Sequence, residues 1–378
     1  MRRWLLCGAL AAVMFGEDLP RGQIIDDVKC AADPKQSYAL YIPSNYSPDR
    51  TWSVIFGFDP RARGRVPVER FQAAAEKYGY IVAGSNNSRN ASWEASVASI
   101  QAMSTDVVRR FPINEKRVYT AGMSGGARVA MWVALGSGQI AGVIAASAGY
   151  PDSRPRKSVN FAVFGAAGAE DFNYREMRQI DRALTTPHRV VIFEGGHVWL
   201  SSELAAEAIE WMEIQAMKAG RRPREAALIE RIFEARSAEI SSLKNDKEIC
   251  VALESLAADF EGLKDVSSIA ARAVALKKQK GVKDALKKER DDEQREDRLT
   301  MSLVTLGDEL ADPLKRAANL AQLRNHLTKL ARQANAADDS SERRLSRRVL
   351  RGLIAGSIER SRDPDLKKLM DEIRASLR

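Results

Sequence analysis

Short apolar runs recur through the first 220 residues, and several are followed by stretches in which the apolar positions have helical spacing. The pattern predicts strands over 37–46, 52–57, 80–84, 140–146, 161–164 and 189–193, and helices over 68–78 and 94–110. Strands that alternate with helices in this way favour a mostly parallel sheet with helices on both faces. We therefore expect an α/β domain over residues 25–219.

The pattern changes after Gly220, where the segment Arg221-Arg-Pro-Arg224 is typical of a linker. Beyond it the strand signals disappear, and leucines repeat at helical spacing. We therefore expect an all-helical domain over 221–378. The spacing of its leucine sets is near twice a tetratricopeptide period, but the residues that mark that repeat do not accompany it.

The N-terminal segment begins with two arginines and continues with a short apolar stretch. This is the pattern of a secretory signal, so residues 1–20 are expected to be a signal peptide and the protein to be exported to the periplasm or beyond. The alternative is a plain hydrophobic N-terminal segment on a cytoplasmic protein. No later run is long enough to predict a membrane span in the mature chain.

The chain has 378 residues, 45% of them apolar, and a net charge of +9. Basic residues are interleaved with acids, which favours a solvated surface over a nucleic-acid interface. No Cys/His cluster has metal-ligand spacing, so we expect neither a metal nor another cofactor. Cys30 and Cys250 would remain after signal cleavage, either as a pair or as two buried apolar residues.

One turn, Gly122-Met-Ser124-Gly-Gly126, joins a β-branched and aromatic run to a helical pattern. A sharp strand-to-helix turn leaves little room for side chains, so glycines two before and two after Ser124 allow the serine to lie exposed above a sheet. The following helix directs the Gly125 N–H toward the place where an oxyanion would form. The position of this motif between a strand and a helix favours a nucleophile elbow.

The sequence contains three histidines, and one follows a predicted strand. Ligands of open parallel sheets bind outside the carboxyl ends of the strands. His326 lies in the helical region, and His188 precedes its strand. His197 follows the strand 189–193 and is the base expected for Ser124.

A carboxylate that orients the histidine is expected after a neighbouring strand. Asp171 stands three residues after Gly168, as in a G-x-x-D turn, and Glu170 is the second candidate. The order Ser124, Asp171, His197 is that of α/β-hydrolases rather than of chymotrypsin or subtilisin. Each residue also has a structural explanation, as a turn, a helix cap or a loop residue. Their combination, each after its own strand, favours catalysis.

Residues 30–217 resemble the α/β-hydrolase superfamily, and within it the polyhydroxybutyrate depolymerase and feruloyl esterase-like group. The resemblance rests on Tyr38-Ala-Leu-Tyr41-Ile-Pro43, the elbow around Ser124, the turn from Gly168 to Asp171, and Gly196-His197-Val-Trp199. It implies a serine hydrolase that cleaves carboxylic esters through an acyl-enzyme. Ser124 would be the nucleophile, His197 the general base and then acid, and Asp171 the residue that holds the histidine.

The segment Phe56-Gly57-Phe58 departs from the family, which usually has a His-Gly pair after the third strand. The oxyanion donor there is a backbone N–H, so the change does not remove it. We expect donors at Phe58 and Gly125.

Four residues are candidates for substrate contact: Asn86, Asn87, Trp93 and Trp199. Loop capping is the alternative for the asparagines, and core packing is the alternative for the tryptophans. The short stretch between 147 and 171 leaves no room for a large lid, so we expect an open site for a small or polymeric ester.

Two other functions fit the same motifs. A serine peptidase of related fold is the first, although no charged anchor for a peptide terminus is evident. The second is a non-catalytic hydrolase scaffold whose helical domain binds a protein partner.

Overall fold

A computed structural model describes residues 19–90, 93–356 and 363–377. The expected signal peptide, residues 1–20, lies outside this range except for its last two positions. The strands are β1 (Ile24–Cys30), β2 (Asp33–Tyr41), β3 (Trp52–Phe58), β4 (Tyr80–Ser85), β5 (Ile113–Met123), β6 (Gly142–Ala146), β7 (Ala162–Gly168) and β8 (His188–Phe193). The helices are α1 (Arg65–Tyr78), α2 (Trp93–Arg110), α3 (Gly125–Ser137), α4 (Tyr174–Ala183), α5 (Ser202–Lys218), α6 (Ala226–Ser242), α7 (Asp246–Phe260), α8 (Ser267–Lys278), α9 (Lys280–Asp308), α10 (Arg316–Ala334), α11 (Ser341–Ala355) and α12 (Pro364–Ser376).

The strands form one eight-stranded sheet in the order β1-β2-β4-β3-β5-β6-β7-β8. β2 pairs antiparallel with β1 and with β4, whereas the pairs β4–β3, β3–β5, β5–β6 and β6–β7 are parallel. The expected fold class, a mostly parallel α/β sheet followed by C-terminal helices, is confirmed. β1 was not predicted, because adjacent Asp26 and Asp27 and the register shift between Ile25 and Val28 interrupt its alternation.

Consecutive residues of β5 show that helices cover both faces of the sheet. The Thr120 hydroxyl donates to the carbonyl oxygen of Ala130 in α3. Tyr119, the preceding residue, lies beside Gly142 of β6. A Cβ built on Gly142 would contact both the Tyr119 ring and the sulfur of Met212 in α5. Because neighbouring strand residues point to opposite faces, α3 and α5 lie on opposite sides of the sheet.

Contacts divide the chain into two compact units. The first unit contains residues up to 167, 176–191 and 198–274. The second contains 168–175, 192–197 and the chain from 275 onward. Helices α6 and α7 thus belong with the sheet, and two short loops that follow β7 and β8 belong with the C-terminal helices.

A buried carboxylate explains why α6 and α7 belong to the first unit. Asp259 of α7 accepts hydrogen bonds from Arg189 of β8 at 3.0 Å, Arg236 of α6 at 2.6 Å and Trp211 of α5 at 2.6 Å. A buried charge is stable only with such partners. These side chains therefore connect two helices beyond the predicted linker to the sheet.

The second unit has its own apolar core, built from the leucines whose spacing predicted helices. Its buried members include Leu303, Leu323, Leu327, Leu350, Leu353, Leu366 and Ile373. Of the helices within the described ranges, none has the length and apolar character required to cross a bilayer. Cys30 and Cys250 are both buried, and they do not form a disulfide with each other.

Candidate active site

Ser124 lies between β5 and α3 in a backbone conformation that is unfavourable for serine, with φ 54° and ψ −122°. Its N–H donates to the carbonyl oxygen of Ala146 at 2.8 Å. Its side chain makes no capping hydrogen bond to α3. Such strain costs about 1–3 kcal/mol and is typical of functional sites. A capping role therefore does not explain this residue.

Gly122 and Gly126 allow the turn to close. A Cβ on Gly122 would overlap the backbone of Gly126, and a Cβ on Gly126 would overlap the carbonyl oxygen of Phe58. The two glycines thus let the first turn of α3 pack against the ends of β5 and β3. This close packing is the reason for which the sequence motif predicts glycine at both positions.

Asp171 and His197 form a hydrogen-bonded pair within the second unit. His197 Nδ1 lies 2.9 Å from Asp171 Oδ1, and the Asn173 N–H donates to the same oxygen at 2.8 Å. Asp171 is fully buried, whereas the His197 side chain is 20% exposed. Because an ionised carboxylate only accepts, it holds the proton on Nδ1 and leaves Nε2 as the basic nitrogen.

The ring of Phe172 stacks on the His197 imidazole, with centroids 4.1 Å apart and planes 26° from parallel. The imidazole is therefore oriented by a ring on its face as well as by the carboxylate at its edge. The Asp171 Oδ2 atom is buried and has no hydrogen-bond partner in the part of the chain that the structure describes.

Glu170, the alternative carboxylate, is used differently. Its side chain accepts from Arg347 at 2.7 Å and from Arg351 at 3.3 Å, both on α11. Arg348 of α11 donates to the carbonyl oxygen of Ala169 at 2.7 Å. Asp171 is thus the carboxylate that meets the histidine, and Glu170 is the one that meets the arginines of α11.

The turn after β3 favours Asp59 over Phe58 as an oxyanion donor. Phe58 is still part of the sheet, where it pairs with Gly122 of β5. Asp59 is the first residue beyond the strand, and its N–H has no hydrogen-bond partner among the described residues. Its nitrogen would lie 3.3 Å from a Cβ on Gly126. Asp59 therefore replaces Phe58 as the candidate donor, because β3 continues through Phe58.

The Asp59 carboxylate is fully buried and binds Trp199, whose Nε1 donates to it at 2.8 Å. Arg63 donates to both of its oxygens at 2.9 Å, and the Arg61 N–H donates at 2.8 Å. Burial by itself raises the pKa of Asp59, but the hydrogen bonds from Arg63, Trp199 and Arg61 outweigh it and hold that pKa below its usual value. Trp199, expected to contact substrate, instead supports the turn after β3.

Asn86 and Asn87 join the turn after β4 to the first strands. Asn86 donates to the carbonyl oxygen of Asp26 at 3.0 Å. Asn87 accepts from the Ser37 N–H at 2.8 Å and donates to the carbonyl oxygen of Lys35 at 3.3 Å. These bonds give both amides the loop-capping role that was the alternative to substrate contact.

A cavity of about 510 Å³ lies beside Gly125, the residue after the serine. We call it the Trp93 cavity. Trp93, at the start of α2, is 44% exposed, and its ring lies 5.4 Å from that of Trp132 on α3. The other residues that line it are Arg89, Asn90, Arg128, Val129, Pro151 and Asp152. Trp93 is thus the one substrate-contact candidate that lines this cavity, and Trp132 is a further residue that the sequence reasoning missed.

His188 and His326 lie elsewhere. His188, at the start of β8, is hydrogen-bonded to the carbonyl oxygens of Thr186 and Asp181, each at 2.8 Å. His326 is exposed on α10. Within the described ranges, no three His, Cys, Asp or Glu side chains are grouped so that they could hold a metal ion.

No family model matches the chain. No curated protein matches it. Solved esterase structures are similar over about half of it. A thermostable esterase is 16% identical with a TM-score of 0.38, and the match covers 50% of this chain and 61% of that one. An esterase of Thermogutta terrifontis is 12% identical with a TM-score of 0.40, covering 55% and 98%. The feruloyl esterase module of Clostridium thermocellum is also 12% identical with a TM-score of 0.40, covering 55% and 92%.

Proposed function

We propose that this protein is a serine hydrolase that cleaves carboxylic esters through an acyl-enzyme intermediate. The observation that carries the proposal is the hydrogen bond between His197 Nδ1 and Asp171 Oδ1. A buried carboxylate on Nδ1 prepares Nε2 to accept a proton and stabilises the imidazolium that results.

Ser124 is the proposed nucleophile. Its strained conformation at the β5–α3 turn, without a capping bond to α3, supports this assignment. It follows β5, Asp171 follows β7, and His197 follows β8, so each residue stands after the carboxyl end of its own strand. In sheets of this kind that is the edge at which ligands bind.

In the proposed reaction His197 Nε2 takes the Ser124 hydroxyl proton while Oγ attacks the ester carbonyl carbon. The C–O π bond opens to an oxyanion, which the N–H groups of Gly125 and Asp59 stabilise. When the oxyanion collapses, the ester C–O bond breaks, and His197 gives its proton to the departing alcohol. Water then attacks the acyl-enzyme by the same proton transfers and releases the acid.

The test is hydrolysis of p-nitrophenyl acetate by the purified full chain, with Ser124→Ala as the matched control. We expect turnover by the wild type, loss of turnover in the variant, and labelling of the wild type alone by a fluorophosphonate. If the wild type neither releases p-nitrophenol nor accepts the label while it is folded, the proposal fails. Turnover that persists in Ser124→Ala would assign the chemistry to another residue.

A further inference from the structure

The Trp93 cavity has two tryptophan rings in its wall. Trp93 and Trp132 lie with their ring centroids 5.4 Å apart and their planes 55° from parallel. A tryptophan that is 44% exposed is a large apolar surface to leave in water. Aromatic side chains of this kind bind flat ligands through dispersion and ring contacts.

The charges around the cavity are not balanced. Asp152 is held by both Nη atoms of Arg156, at 3.0 and 3.1 Å. Arg128 is held by both carboxylate oxygens of Glu176, at 3.0 and 2.8 Å. These ion pairs neutralise one acidic and one basic group of the lining.

Arg89 remains as an uncompensated cation. It is exposed, lines the cavity and forms an isolated antiparallel bridge with Arg61. Across the described part of the chain, neither guanidinium has a carboxylate partner. A bound anion would therefore pair with Arg89.

We propose that the Trp93 cavity binds an aromatic carboxylate, so that the preferred ester carries a flat apolar group with an anionic substituent. The proposal rests on the proposed function, because the cavity borders Gly125 of the elbow. The tryptophans supply the apolar surface, and Arg89 supplies the charge.

The experiment measures binding rather than turnover, so its outcome is separable from that of the esterase assay. Ser124→Ala protein is titrated with 2-naphthoate and with its neutral counterpart 2-naphthamide, and tryptophan fluorescence is followed. We expect naphthoate to bind about fivefold more tightly, which is the scale of an exposed charge pair. Arg89→Gln in the same background should remove the difference, and Arg70→Gln is the matched control, since that arginine does not line the cavity.

Equal affinities for the two compounds, or a preference that Arg89→Gln leaves unchanged, would overturn the proposal. A preference lost at high salt and in Arg89→Gln supports it, because exposed charge interactions are screened. If the wild type hydrolyses no ester but the preference for naphthoate remains, the proposed function fails and the binding proposal stands.

A second inference comes from an independent set of contacts, all within the second unit. Helix α11 presents arginines to both loops that carry the catalytic candidates. Arg347 and Arg351 bind Glu170, and Arg348 binds the carbonyl oxygen of Ala169, in the loop that contains Asp171. Arg344 binds Glu194 at 2.9 Å, in the loop that contains His197. Spacings of three and four residues place these side chains along one face of the helix.

The same helix also reaches the ring that orients the imidazole. An added Cβ on Gly352 of α11 would lie 3.4 Å from the Cβ of Phe172, and Phe172 stacks on His197. We infer that α11 is a positioning element for the Asp171–His197 pair. The C-terminal helices would then be part of the catalytic apparatus rather than a separate interaction domain.

The test is the double variant Arg347→Gln/Arg351→Gln, with Arg324→Gln as the matched control. Arg324 forms an exposed ion pair with Glu372 in the same unit, and it lies on α10 rather than on α11. We expect kcat to fall about tenfold or more in the double variant with little change in KM, because misplacement of a catalytic group affects the chemical step. Lysines at the two positions should restore part of the loss.

The proton NMR signal of the His197 Nδ1–H is a second measurement, because a change in stability alone does not shift it. The chain has three histidines, so the Nδ1 proton bonded to Asp171 can be assigned by its loss in Asp171→Asn. We expect that signal to shift or broaden in the folded double variant. An unchanged kcat and signal, or a fall in kcat no larger than the fall in the folded fraction, would overturn the inference.

Discussion

His197 Nδ1 lies 2.9 Å from Oδ1 of Asp171, and that carboxylate is fully buried. The neighbouring Glu170 faces the arginines of α11 instead. Two adjacent acids thus have different partners, and their substitutions should separate the two roles.

Asp171→Asn is expected to lower kcat on the order of 10⁴-fold, because an amide no longer fixes the proton on Nδ1 or stabilises the imidazolium. Steady-state kinetics on p-nitrophenyl acetate measures the effect. Glu170→Gln is the control and should cost far less, since it leaves the histidine's carboxylate in place. Equal losses in the two variants would mean that Asp171 has no special role.

Ser124→Gly is expected to be more stable than Ser124→Ala by about 1 kcal/mol. Both variants lack the nucleophile, but only glycine adopts a φ near the observed 54° without strain. Urea denaturation followed by circular dichroism compares their free energies of unfolding. A Ser124→Ala protein that is as stable as Ser124→Gly would show that the turn stores no strain at this residue.

Asp59 should contribute to the pH dependence of stability. Burial raises the pKa of Asp59 in the folded state, but the hydrogen bonds from Arg63 and Trp199 outweigh burial. The folded pKa therefore lies below its usual value. The contribution is therefore present above the unfolded pKa of about 3.9 and is lost as the pH falls through the folded pKa. The difference in unfolding free energy between wild type and Asp59→Asn should shrink from about pH 6 to about pH 3. A difference that stays constant over this range contradicts the assignment.

Asp259→Ala is expected to lower the free energy of unfolding by about 3–5 kcal/mol, because it leaves the guanidinium of Arg236 buried without its partner. Chemical denaturation measures the loss. Glu372→Gln, which breaks an exposed ion pair with Arg324, should cost about 1 kcal/mol or less. Similar losses in both would mean that α7 is not held to the sheet through Asp259.

The sequence determined the order of strands and helices and the residues at strand ends, because apolar periodicity and glycine spacing are local properties of the chain. It therefore predicted Ser124, Asp171 and His197 as candidates and a helical second half. It did not predict β1, since a bulge and two adjacent aspartates disrupt the period of two. Nor did it predict that side chains far apart in sequence, such as Asp259 and Arg189, connect α7 to the sheet.

Tertiary structure alone decided which polar groups meet. Asn86, Asn87 and Trp199 are suitable for substrate contact by type, yet each forms hydrogen bonds to another part of the first unit. Trp132 lines the cavity although it sits in an ordinary helical pattern. Propensity and spacing assign a residue to a helix or a strand. Its hydrogen-bond partners come from distant parts of the chain, and only the tertiary fold determines which of them lie beside it.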